Sequence, residues 1–108
     1  MRPYSLNIQR IHCHSMNDYY GTDDLVGVMG PSRFSIGSFT TGNNYNLDIN
    51  HIVPAGEFYL RILEADPTGD DEIGVIDLTE SMDFQTTKNV QGADASYDIT
   101  FFVQSVSD

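Results

Sequence analysis

A chain of 108 residues, 40% of them hydrophobic, is long enough to bury one core, and we expect a single domain over residues 1–108. Its sixteen acidic and five basic residues give a formal net charge of −11, which argues against binding to nucleic acid or anionic lipid because both need basic side chains. The single cysteine excludes an intramolecular disulfide.

Residues 6–13 show an apolar alternation that predicts a β-strand with one irregularity. Leu6 and Ile8 share one face of such a strand, whereas Ile11 and Cys13 have the opposite parity. A shift of this kind predicts a β-bulge near residues 9–10, which lets the strand keep one face inward.

Further alternating segments follow along the chain, separated by turn residues. Apolar residues recur in residues 25–29, 34–38, 47–51 and 58–62, with Gly-Pro, Gly-Asn and Pro-Ala-Gly sequences between them. Residues 73–78 and 97–103 predict two more strands, residues 84–86 a weak one, and residues 79–83 a single helical turn. The pattern is typical of an all-β fold, an eight-stranded antiparallel β-sandwich.

Two acidic stretches, residues 18–24 and 64–72, fall where the β-pattern breaks and together hold eight carboxylates. If the fold brings them together, these charges repel one another unless a cation lies among them. Ca²⁺ takes about six to eight oxygen ligands and accepts irregular geometry, so it suits acids on turns. The competing interpretation is that Asp and Gly occupy turns for backbone reasons and are simply solvated.

The acidic stretches resemble the calcium-binding loops of C2 domains. The first reads Asp18-x-x-Gly21-Thr22-Asp23, and the second reads Glu64-x-Asp66, four residues, then Asp71-x-Ile73-Gly74. The resemblance covers most of residues 6–78, and its second motif is the more specific. It implies an eight-stranded antiparallel sandwich whose loops at one end bind calcium. An EF-hand does not fit, because that motif begun at Asp66 would need Gly at position 71 and Glu at position 77.

The resemblance also implies a set of ligands that would hold one or two Ca²⁺ ions between the two loops. Carried over position by position, the ligands are Asp18, Asp23, Glu64, Asp66 and Asp71. Three neighbouring acids could add charge or coordinate as well: Asp24, which stands at the family's usual proline, Asp70 and Glu72.

The sequence departs from the C2 pattern in ways that bear on its partners. Glu64 stands where the family has Asp, and both loops are about one residue shorter than in the family pattern. The lysine-rich strand that the family uses for phosphoinositides has no counterpart, since residues 33–50 contain Arg33 as their single basic residue. The resemblance allows membrane binding, but the charge of the chain disfavours it.

His12-Cys13-His14 suggests zinc or thiol chemistry at first sight. In a strand, the two histidines share one face and Cys13 lies on the other, so the three cannot bind one ion. A His12/His14 pair would need His51 or an acid from elsewhere in the chain. The simpler interpretation is a buried Cys13 beside two exposed imidazoles.

Together these features predict a non-enzymatic calcium-binding module, because a sandwich of this size has no room for a deep substrate cleft. The bound Ca²⁺ would stabilise the domain or a surface for a protein partner. The alternative is a structural or assembly subunit that self-associates, with solvated acids or a purely structural metal site. Six tyrosines also leave a small carbohydrate-binding module open.

Overall fold

The computed structural model describes residues 4–16, 22–67, 69–81 and 84–106. These residues form eight strands and one 3₁₀ helix, with the following bounds: β1 Tyr4–Ser15, β2 Asp23–Met29, β3 Ser32–Phe39, β4 Asn44–Val53, β5 Tyr59–Glu64, β6 Asp71–Asp77, the 3₁₀ helix Leu78–Ser81, β7 Thr86–Gly92 and β8 Ala95–Ser105. The strands pair in two four-stranded antiparallel sheets, in the orders β4-β1-β8-β7 and β3-β2-β5-β6. The predicted all-β sandwich of eight antiparallel strands is therefore confirmed.

The bulge predicted in the first strand is also confirmed. The register of β1 with both β4 and β8 shifts between Ile8 and Arg10. Leu6 and Ile8 are buried before the shift, and Ile11 and Cys13 are buried after it. The extra residue changes the parity of β1, so its apolar side chains face the core along its whole length.

The core lies between the two sheets and is built from their inward side chains. Four alternating residues of β8 are 0% exposed: Tyr97, Ile99, Phe101 and Val103. Leu25 of β2 and Ile62 of β5 belong to the same buried cluster. The period of two in the sequence therefore corresponds to one packed and one solvent-facing side of each sheet.

Contacts between strand edges hold the two sheets face to face. Where β6 meets β7, a Cβ added to Gly92 would lie 2.5 Å from the carbonyl oxygen of Ile73, so only glycine permits this approach. At the opposite edges, the ring of Phe34 on β3 stacks on His51 of β4 with centroids 4.4 Å apart. Among the described residues, no helix is long and apolar enough to cross a membrane.

Several strands begin or end a few residues away from the bounds expected from the sequence, and two of these differences matter for the site and the core. The weak strand expected at residues 84–86 is in fact β7, Thr86–Gly92, and Phe84 before it is 71% exposed. β7 is an edge strand whose single buried apolar side chain is Val90, so it carries little alternation. β6 begins at Asp71, two residues earlier than expected. Asp71 is therefore held by strand pairing and not by a turn.

Candidate metal centre

Three carboxylates meet where β5 ends and β6 begins. Glu64 is the last residue of β5 and pairs with Asp71, the first residue of β6. Asp66 follows two residues after Glu64, in the connecting loop. One oxygen from each of the three side chains lies within 4.8 Å of the other two. We call Glu64, Asp66 and Asp71 the acidic triad; the structure brings together the three ligands expected from the second acidic stretch.

The base of the acidic triad is buried. Glu64 has the same parity on β5 as Ile62 of the core and is only 2% exposed, whereas Asp66 and Asp71 reach solvent. A buried carboxylate is costly unless charge or hydrogen bonds compensate it, and two further carboxylates nearby increase that cost. The triad therefore consists of one buried carboxylate, Glu64, and two solvent-facing carboxylates, Asp66 and Asp71.

The beginning of β2 lies beside the acidic triad. Leu25 of β2 pairs with Glu64, and the backbone N–H of Ala65 donates to the carbonyl oxygen of Asp24 at 2.8 Å. Asp23 lies on the same inward face of β2 as Leu25 and is 0% exposed. In this register Asp23 is diagonal to Glu64, a position at which cross-strand neighbours are about 7–8 Å apart and their Cβ atoms somewhat closer. The end of the first acidic stretch thus adjoins the second.

The expected first-loop residues Asp23 and Asp24 have different hydrogen-bond partners. Asp23 accepts a hydrogen bond from the Tyr97 hydroxyl at its Oδ2 (2.6 Å), whereas the exposed Asp24 accepts one from the Ser38 hydroxyl at its Oδ1 (2.5 Å). Asp24 is directed to the solvent face of β2, since strand residues alternate. Within the described chain, neither joins the acidic triad inside the 4.8 Å limit. Asp18 lies outside the described residues.

The two acids that border the acidic triad are paired with arginines. Asp70 accepts from the two terminal nitrogens of Arg33 at 2.6 and 3.4 Å, and Glu72 accepts from Nε of Arg61 at 2.8 Å. The hydrogen bond from Arg33 is the main reason why the pKa of the Asp70 carboxyl is below its ordinary value. Each of these two acids is thus paired with a base.

Sequence reasoning missed the part of Tyr97 in this region. Its alternation with Ile99 and Phe101 places it on the inward face, and a buried tyrosine hydroxyl usually finds a hydrogen-bond partner. That parity was the available signal, because the partner had to be a polar group of the facing sheet. In the structure this partner is Asp23.

The His12-Cys13-His14 segment is arranged as the simpler interpretation expected. Cys13 is 0% exposed, and its burial raises the pKa of the thiol, so a reactive thiolate is disfavoured. His14 Nε2 bonds to Asp98 Oδ2 and His12 Nδ1 to Asn44 Oδ1, both at 2.7 Å. Asp98 is thus an acid from elsewhere in the chain, of the kind that the histidine pair would need as a further ligand to bind zinc. Among the described residues, however, only the acidic triad brings three candidate ligand atoms within 4.8 Å.

Asp98 makes the stability of the chain fall as the pH becomes acidic. Its pKa is lowered first by the hydrogen bond from Asn89 and then by that from His14. Because the folded-state pKa lies below the ordinary value of about 3.9, the carboxylate stabilises the fold above that pH and loses this contribution as the pH falls through the lowered pKa. In urea titrations with chelator, we expect Asp98→Asn to be less stable than the wild type at pH 6 by at most about 1 kcal/mol. The difference should shrink as the pH falls below the ordinary value of about 3.9 and through the lowered pKa of Asp98; a constant difference would contradict this account.

Comparisons with known proteins give a likeness of fold. No family model and no curated protein matches the sequence. Among solved structures, a C2 domain of plant extended synaptotagmin 1 matches with a TM-score of 0.58 and 9% identity, over 99% of this chain and 97% of that domain.

Human GIVD cytosolic phospholipase A2 matches with a TM-score of 0.58 and 15% identity over 99% of this chain. The same enzyme with methyl gamma-linolenyl fluorophosphonate inhibitor and terbium chloride matches with a TM-score of 0.55. This chain spans only 17% and 18% of the length of those two phospholipase chains, so the likeness concerns a small part of the enzyme. Identities this low establish architecture alone, and that architecture agrees with the one implied by the acidic motifs. The chain has a C2-like fold.

Proposed function

We propose that this chain is a non-enzymatic calcium-binding module in which one or two Ca²⁺ ions lie among the acidic triad and Asp23. The observation that carries this proposal is the position of the triad itself. Three carboxylate oxygens lie within 4.8 Å of one another, and one of them belongs to a side chain that is 2% exposed. The proximity of three carboxylates raises the cost of burying that charge, and a cation among them would lower it.

The donor set favours Ca²⁺ over other common metal ions. The candidate ligands are all carboxylates, which suit hard cations, whereas zinc prefers Cys and His. Mg²⁺ demands near-octahedral geometry and keeps several of its waters, whereas Ca²⁺ accepts about six to eight oxygens and bidentate carboxylates. Each carboxylate of the acidic triad and of Asp23 has two oxygens. Asp18 and Asp24 remain proposed ligands that these arguments support less directly.

Calcium at this position would mainly hold together the chain segments at one end of the sandwich. The triad belongs to the β5–β6 connection, and Asp23 begins β2, so a shared ion would link these segments. It would also neutralise part of the formal net charge of −11. The proposed result is a loop end whose shape and charge depend on calcium.

We further propose that the domain so stabilised binds a protein partner or a second copy of the chain. Tyr59 on β5 and Val75 on β6 are 61% and 50% exposed on neighbouring strands of the second sheet, away from the triad, and exposed apolar side chains on one sheet face favour protein contact. The net charge of −11 makes an anionic membrane a poor target. Sedimentation with and without calcium separates the alternatives. An oligomer of the same size in both conditions favours an assembly subunit, and a monomer in both conditions excludes self-association.

Thermal unfolding in calcium and in chelator tests the calcium proposal. Binding to the folded state alone adds about 2.7 kcal/mol of stability at a Ca²⁺ concentration 100 times Kd. For a domain near this size, each kcal/mol raises Tm by about 4–8 °C, so we expect a rise of about 10 °C or more. MgCl₂ at the same ionic strength is the control, because it screens the net charge equally. Equal midpoints in calcium, magnesium and chelator would refute the proposal.

A further inference from the structure

Tyr97 is a fully buried tyrosine that faces the junction of the two sheets. It lies on β8 of the first sheet, pairs with Cys13 of β1, and is 0% exposed. Its ring is in edge contact with that of Phe39 on β3, with centroids 6.2 Å apart. A ring held on these sides has little freedom, so its hydroxyl has a nearly fixed position.

The hydroxyl of Tyr97 reaches across the core to the other sheet. It donates a hydrogen bond of 2.6 Å to Oδ2 of Asp23 at the beginning of β2, and this carboxylate is also 0% exposed. A phenol has an ordinary pKa of about 10, so its hydroxyl carries a proton and is a hydrogen-bond donor at neutral pH. A neutral donor and a charged acceptor in a dry interior form one of the stronger types of hydrogen bond.

Asp23 connects this hydrogen bond to the acidic triad. Its neighbour Asp24 is bonded through the backbone to Ala65, and Leu25 pairs with Glu64, so Asp23 sits diagonally to Glu64 on the same inward face. A carboxylate with one oxygen held by a donor cannot rotate freely. An ion entering beside Glu64 therefore meets an Asp23 side chain whose orientation is already fixed.

We propose that Tyr97 is a positioning residue for the metal centre: its hydroxyl, delivered from the first sheet, orients the Asp23 carboxylate of the second sheet toward the acidic triad. This inference rests on the proposed function, since it assumes that a Ca²⁺ ion binds there. It adds a role for a residue 31 positions beyond Asp66 along the chain, in the sheet that contributes no carboxylate to the triad. Calcium affinity then depends on how the two sheets are packed.

The direct test is Tyr97→Phe, which removes the hydroxyl and keeps the ring. Hydrogen-bond partners that orient metal ligands typically change affinity by about 10–100-fold, and we expect a loss in that range by calorimetric titration with CaCl₂. The matched control is Ile99→Val, which loosens the same inward face of β8 but leaves the hydroxyl in place. It should lower Tm and leave the calcium Kd within about two-fold of the wild type. Equal loss of affinity in both variants would show that Tyr97 only packs the core, and would overturn the inference.

A double-mutant cycle shows whether Tyr97 acts through Asp23. Asp23→Asn should weaken calcium binding, and Tyr97→Phe added to it should change the Kd by less than about two-fold. Full additivity of the two changes would overturn the inference. A measurement on the wild type needs no variant: in protein with ¹³C-labelled tyrosine, the Tyr97 ring resonance should shift in step with calcium saturation. A Tyr97 resonance that stays fixed while the protein saturates would also overturn it.

The same titrations separate this inference from the proposed function. If the wild type binds calcium and the Tyr97→Phe variant binds it equally well, only the role of Tyr97 is overturned. A wild type that binds no calcium overturns both.

Discussion

Replacing Glu64 with Gln is expected to change stability in opposite directions with and without calcium. In chelator, the variant should unfold at a higher temperature than the wild type; in calcium, it should unfold at a lower one. Two unit charges 4.8 Å apart repel by about 3 kcal/mol at an effective dielectric constant of about 20, and Glu64 faces two such charges. A glutamine removes this repulsion and can donate to the neighbouring carboxylates, so we expect a net gain of about 1–2 kcal/mol in chelator.

The reversal in calcium follows from the loss of a charged ligand. The wild type gains about 2.7 kcal/mol at a Ca²⁺ concentration 100 times its Kd, whereas a variant with weaker affinity gains much less at that concentration. Differential scanning calorimetry in both buffers measures the two differences. Glu57→Gln is the matched control, because it removes the same charge two residues before the start of β5, away from the triad, and should shift Tm similarly in both buffers. A Glu64→Gln variant destabilised equally in calcium and chelator would contradict the account.

Phe101→Ala should cost about 3–5 kcal/mol of unfolding free energy, a large part of the roughly 5–15 kcal/mol typical of a domain. Phe101 is 0% exposed on β8, where it pairs with Ile8 of β1 and Thr86 of β7. Its removal leaves a cavity in the core between the two sheets, and the strand pairing within each sheet limits how far the surrounding residues can move to fill it.

The neighbouring Phe102 provides the matched control for this substitution. It is the same residue type on the same strand, but it points to the other face and is only half-buried. Phe102→Ala should cost markedly less, about 1 kcal/mol, because much of the ring is already in water. Urea titrations give both values through the midpoint, with the slope unchanged. Similar costs at the two positions would contradict the assigned faces of β8.

The strands could be predicted where one face of a sheet is buried. Alternation of apolar residues located β1 with its bulge and β8 with its inward face, because a period of two is a direct consequence of one packed side. β7 was poorly predicted for the same reason. As an edge strand with one buried apolar residue, Val90, it is held by pairing with β8 and by the close approach of Gly92 to β6. Neither contact produces the apolar alternation by which a strand is recognised from sequence.

The candidate site was predictable in part. The resemblance to C2 loops selected Glu64, Asp66 and Asp71, and the spacing agrees with it, because residues two apart in an extended segment share a side and the chain reverses before Asp71. It gave Asp23 as a ligand and Asp24 as a further candidate, and strand parity puts the first in the core and the second in solvent. The bond from Tyr97 to Asp23 joins residues 74 positions apart and depends on how two sheets face each other. A sequence pattern cannot supply that distance.

The bordering acids show how charge is divided around the site. The sequence left Asp70 and Glu72 as further candidates for coordination, but Arg33 and Arg61 bind them at 2.6 and 2.8 Å. Two of the five basic residues of the chain thus pair with the acids that border the triad. These ion pairs offset the charge of the two bordering acids.

The central claim is that Ca²⁺ binds among Glu64, Asp66, Asp71 and Asp23, and a crystal structure of the protein grown in calcium tests it most directly. The account predicts an anomalous scattering peak with the oxygens of the acidic triad at about 2.3–2.6 Å, the usual calcium–oxygen distance. The Tyr97 hydroxyl should remain bonded to Asp23 in that structure. A fully occupied calcium crystal with no peak at the triad, or with its peak elsewhere on the chain, would contradict the account.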